Sequence, residues 1–123
     1  MIKYALLLIL IVSVPNFAIA KDGEDLSRLE QLVDSSSFEE GKKLALIIEE
    51  KASALSKKER VKFLHFKSRI ESAYNLTGHA KKLVAQIYDL DPDYRLDPVK
   101  DLPEVFDYYE SLRISPAQVE PVQ

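Results

Sequence analysis

The stretch from Ser56 to Pro92 constrains the fold more than any other part of the chain. Ser56 and Glu59 have the S-x-x-E spacing of a capping box, in which each side chain satisfies a backbone amide that a helix start leaves unpaired. No helix breaker follows before Asn75. Within that run the apolar residues fall on two faces: Val61 and Leu64 on one, Phe63, Phe66, Ile70 and Ala73 on the other. A helix with one apolar stripe lies on a surface, whereas one with two is packed between neighbours. The interval Asn75 to Gly78 punctuates it, and Thr77 is placed to cap a second helix. Ala80, Leu83, Val84, Ile87 and Leu90 then form a single stripe at helical spacing, which Pro92 ends.

Upstream, Lys21 to Asp25 reads as a frayed start to a short amphipathic helix carrying Leu26, Leu29, Leu32 and Val33. Ser35 to Ser37 makes a turn, and Ser36 with Glu39 offers another capping box. A long helix is predicted from Phe38 to Leu55, with Gly41, Leu44, Ala45, Ile48 and Ala52 on its stripe and Leu46 and Ile47 widening the buried arc. Beyond Pro92 the helical period lapses while Pro92, Pro98 and Pro103 recur, so the chain is loop through Leu102. Pro103 suits the first turn of a last helix, with Asp101 as its cap and Leu102, Val105, Phe106, Tyr109 and Leu112 as its stripe. No segment alternates with period two. The expected fold is all-α: helical hairpins whose open end the last helix covers.

At the N-terminus, Lys3 precedes an uncharged run from Tyr4 to Val14, broken by Pro15 and followed by Ala18-Ile19-Ala20. This is the layout of a secretory signal peptide cleaved after Ala20. The run is about half of the ~20 residues that span a bilayer, so no stable membrane insertion is expected after cleavage. The division is then 1–20 signal peptide, 21–114 one helical domain, and 115–123 a disordered tail with two prolines and little to bury. The chain contains no cysteine, so it enters an oxidising compartment without disulfides. A net charge of −3 argues against nucleic acid as a partner. The charge is nonetheless polarised: Lys57, Lys58, Arg60, Lys62, Lys67 and Arg69 crowd one helix, and the aspartates from Asp89 to Asp107 crowd the C-terminal third.

Enzyme-type signatures are weak. Asp89, Asp91, Asp93 and Asp97 resemble a calcium loop in spacing, but Tyr94 and Lys100 stand where glycine and a bidentate glutamate are required. His65 and His79 are the only histidines and lack metal-ligand spacing. Three glycines cannot build a phosphate-cradling loop. Neither a metal nor a cofactor is expected, and the chain does not read as an enzyme. One constellation stands out: His65, Ser68, Ser72 and Asn75 recur at steps of three and four, a small polar stripe on an otherwise apolar helix. Such a stripe either binds a ligand or admits a close helix neighbour.

The helix pairs resemble tetratricopeptide repeats. Ala80, Val84, Ile87 and Leu90, ending in Asp91-Pro92, match the second helix of that family's repeat, and Ala73-Tyr74 with Gly78 matches the end of its first. Phe38, Gly41, Ala45 and Ile48 look like a weaker copy. The segment from Asp91 to Pro98, with Pro103, Phe106 and Arg113, is similar to a tail found after such repeats in exported bacterial envelope proteins. The resemblance implies a solenoid of about two repeats closed by a capping helix, onto which Tyr94 and Leu96 fold back. It places His65, Ser68, Ser72 and Asn75 on a concave, solvent-facing surface that grips an extended peptide, with Lys67 and Arg69 at the rim. The implied function is a periplasmic scaffold or adaptor that binds another protein; a secreted helical-bundle effector, extracellular or holding a small molecule, is the alternative.

Overall fold

The computed structural model describes residues 21–114, and these form an all-α fold. Helix α1 spans Lys21–Asp34 and α2 spans Phe38–Glu50; a short 3-10 turn, Ala52–Ala54, leads into α3, Lys57–Ala73. Helices α4, Thr77–Leu90, and α5, Pro103–Arg113, complete the described residues. The expected signal peptide and the expected tail lie outside the described residues. The residues expected to fray, Lys21 to Asp25, are helical within α1.

The capping box at Ser56 is formed. The Ser56 hydroxyl accepts the Glu59 amide at 3.1 Å, and the Glu59 carboxylate accepts the Ser56 amide at 2.8 Å. The other expected caps are not formed. Ser37, not Ser36, is the residue before α2; Leu76, not Thr77, precedes α4; Leu102, not Asp101, precedes α5; none of the three caps through its side chain. Ser36 accounts for the first, and Asn75 repeats its geometry at the second turn. Both adopt a left-handed backbone with φ of 62°. In each turn the next residue's amide reaches back to the preceding helix, Ser37 to the Leu32 carbonyl at 2.8 Å and Leu76 to the Glu71 carbonyl at 2.9 Å. This is the Schellman closure of a helix C-terminus, and a residue committed to it cannot also be an extended N-cap.

The offset that superposes these turns carries Gly41 onto Ala80, Ala45 onto Val84 and Ile48 onto Ile87, all buried. The two hairpins therefore bury the same face of their second helices. Gly41 faces the first core, where a methyl would meet Ile70 Cδ1 at 3.4 Å and Leu29 Cδ1 at 3.8 Å, ordinary van der Waals contact.

Helix α3 lies between two cores. Phe63, Phe66 and Ile70 join Leu26, Leu29, Val33, Ala45, Ile48 and Leu55. Val61 and Leu64 join Ala80, Leu83, Val84, Ile87, Leu96, Val105 and Tyr109. The two-faced reading of this helix holds, except that Ala73 is exposed. Helix α5 packs on α4, and Leu96 is buried against the second core with Tyr94 alongside. Two expectations for α2 fail. It ends at Glu50, where the chain tightens into the 3-10 turn whose Ala52 carbonyl accepts the Arg60 guanidinium at 2.8 Å. Leu46 and Ile47 are 64% and 48% exposed, because α1 and α3, the main neighbours of α2, pack on its other side.

Candidate functional site

Helix α3 carries His65 and Arg69 one turn apart, facing the proline-rich segment between α4 and α5. Both converge on Asp101, which is buried. His65 Nε2–H lies 2.9 Å from each carboxylate oxygen, Arg69 Nε–H donates to Oδ1 at 2.9 Å, and the Asp97 amide donates to Oδ2 at 2.6 Å. On the opposite edge of the ring, His65 Nδ1 is 2.7 Å from the Tyr94 hydroxyl. A carboxylate only accepts, so Nε2 carries the proton, and in the neutral ring Nδ1 accepts from the tyrosine. The Tyr94 carbonyl in turn accepts the Tyr109 hydroxyl at 2.7 Å. The segment is pinned near both ends, at Tyr94 and at Asp101.

Burial pushes the Asp101 carboxyl up, but the bonds from His65, the Asp97 amide and the Arg69 guanidinium outweigh it and hold the group below the ordinary aspartate range. Asp97 is also held low, by the amides of Val99 and Lys100 donating to its Oδ1 at 2.8 and 3.1 Å. Burial raises the Tyr94 hydroxyl and pushes Tyr109 up to about 12. The Asp101–His65 pair has the look of a catalytic dyad, but its free ring edge meets a phenol kept protonated by burial. His65, Arg69 and the Asp97 amide all donate to Asp101, and His65 also meets Tyr94, so the cluster's bonds hold the loop. Chemically the arrangement is a latch. Asp91 and Asp97 are likewise spent on turn amides, Asp93 N to Asp91 Oδ1 at 3.1 Å among them, and the described residues hold no group of three or more side chains placed to share a metal ion.

Beside the latch, the α1–α2 turn and the pinned loop bound an open cleft of about 540 Å³. Val33 and Phe38 line one wall, Val99 and Leu102 the other, with Arg69 and Ser72 of α3 between them. Val99 is 89% exposed, an aliphatic side chain held out on a loop that Asp97 and Asp101 make rigid. Lys100 at the rim lies 3.8 Å from Asp34, which also meets Arg69 at 3.5 Å.

The sequence-nominated stripe is divided by this geometry. Asn75 is exposed and occupies a turn, and Ser72 and Arg69 reach the cleft. His65 and Ser68 were expected to face solvent and do not: they are 5% and 2% exposed. Ser68 Oγ donates to the His65 carbonyl at 2.7 Å and Ser72 Oγ to the Ser68 carbonyl at 2.8 Å, which satisfies the hydroxyls within the helix and leaves small side chains where neighbours approach closely. Lys67 pairs with Glu49 on α2, away from the cleft. Asp101, Tyr94 and Val99 were missed as site residues.

The chain matches no protein-family model, no curated protein and no solved structure in the three comparisons made.

Proposed function

We propose that the chain is an exported, periplasmic adaptor of the bacterial cell envelope, a degenerate tetratricopeptide-like module without enzymatic activity. In this reading the cleft beside Val99 receives an extended segment of another protein. The observation that carries it is the exposed Val99 on a latched loop at the mouth of that cleft. Val99 and Leu102 together give the cleft an exposed apolar rim, and binding residues concentrate on loops that a scaffold holds in place. Phe38 and Leu102 supply apolar walls, and the small Ser72 side chain between them leaves room for a bound backbone. The repeated Schellman turns and the matched buried positions of the two hairpins support the repeat assignment.

The test is in-cell photocrosslinking with a benzophenone amino acid at Val99, and at Glu50 on the far side of α2 as control. A discrete adduct at Val99, abolished by Ser72→Trp and absent at Glu50, is the expected result. No adduct at Val99, or the same adducts at both positions, overturns the cleft as a binding site. Intact mass of the periplasmic protein should begin at Lys21; recovery of the chain only from the cytosol overturns the export assignment.

A further inference from the structure

Around the start of α3 lies a second concavity, separate from the Val99 cleft. Its volume is about 290 Å³, with Val61 and Tyr94 among its walls and Lys57, Lys58 and Lys62 around it; Asp91 is its one acidic member. The three lysines are exposed, and none has a carboxylate within ion-pairing distance among the described residues. The other cations of this helix are engaged: Arg60 on the Ala52 carbonyl, Lys67 on Glu49, Arg69 on Asp101 and Asp34. Asp91 is partly spent on the Asp93 amide. The positive end of the α3 dipole adds to the same field.

From this arrangement we infer that the lysine-rimmed concavity is a docking site for an internal acidic segment of a partner protein, an apolar side chain entering between Val61 and Tyr94 while flanking carboxylates meet the lysines. The volume falls just under the ~300–1,000 Å³ of small-molecule sites, which fits an anchor side chain better than a whole ligand. An anionic membrane is the competing class with the same charge. The chain's net charge of −3, with its acidic C-terminal third, opposes approach to an extended negative surface, whereas a narrow segment meets the local lysines alone. The inference stands apart from the Val99 cleft and gives an adaptor its second surface.

The test uses the chain from Lys21 to Gln123 and a seven-residue peptide blocked at both ends, three aspartates or glutamates on each side of one phenylalanine. Anisotropy of the labelled peptide measures affinity, and methyl shifts of Val61 locate binding. Binding should weaken steeply from low to physiological salt. The double variant Lys58→Glu with Lys62→Glu should bind at least tenfold more weakly at an unchanged melting temperature, as should an Asn/Gln version of the peptide on the native chain. If the double variant melts early, the single variants Lys58→Ala and Lys62→Ala replace it, each expected to weaken binding severalfold. Absence of peptide binding, affinity indifferent to these changes, or binding only to phosphatidylglycerol vesicles each overturns the inference. Crosslinking at Val99 reads the other cleft, so either proposal can fail alone.

Discussion

Ser36 and Asn75 close equivalent turns with the same left-handed φ, yet they do not bear it equally. Asparagine tolerates that region because its side chain can bond locally, whereas serine meets the ordinary clash of Cβ with the following carbonyl, worth about 1–2 kcal/mol. Ser36→Gly should therefore raise stability by roughly 0.5–1 kcal/mol once glycine's added unfolded-state entropy is subtracted. Asn75→Gly should gain less. Denaturant midpoints decide: a lower midpoint for Ser36→Gly would mean that glycine's added unfolded-state entropy outweighs the relieved backbone strain. Neither turn's handedness was legible beforehand. Ser-Ser-Ser carries no glycine to announce a left-handed position, so a capping box at Ser36 and Glu39 was the natural reading of the same letters.

At the scale of elements, the latch governs the acid side of stability. The Asp101 carboxyl is held below its ordinary value in the folded protein, so its contribution is complete above the unfolded-state pKa of 3.8 and is lost as pH falls through the lower folded value. Asp101→Asn should cost roughly 2 kcal/mol at neutral pH, the range for hydrogen bonds to charged groups. It should also flatten the stability profile below about pH 4, where the native chain loses this term as the carboxyl protonates. A variant with native stability at pH 7, or with the same acid limb, would contradict the assignment. The helices were readable because apolar residues recur at steps of three and four and because Ser56 with Glu59 and Pro103 mark starts by local chemistry. The latch joins side chains 36 positions apart, across an intervening helix and loop, and no local pattern encodes that meeting. His65 and Asp101 were each visible, but as a surface polar residue and a helix cap. Ser68 misled for a related reason: a small hydroxyl that bonds its own helix looks the same in sequence whether a neighbour or water lies above it. Leu46 and Ile47 failed oppositely, since periodicity marks the faces a helix can bury but not whether a neighbour exists.

For the whole molecule, the second core closes only when the C-terminal segment returns. Leu96, Val105 and Tyr109 come from beyond Pro92 and are buried there. Truncation after Pro92 should strip that face, lower the melting temperature and produce concentration-dependent association, readable by calorimetry with light scattering. A truncated chain that stays monomeric and melts as before would make the segment an independent arm. Within the same core, Ile87→Ala should cost about 2–5 kcal/mol, while Lys82→Ala, on the exposed side of α4, should stay within about 0.5 kcal/mol of the native chain. Lys81 is unsuited as that control, because it bridges to Glu104 on α5 at 3.0 Å and lies over the Tyr108 ring. Helix α3 has a consequence for how such a chain can drift in sequence. With one face in each core and a third in the latch, almost any inward substitution there must be answered by changes in several other elements at once. The outer side of α2, around Leu46 and Ile47, carries no such debt. Under random substitution with selection for folding alone, α3 would change last and the outer side of α2 first, whatever the chain binds.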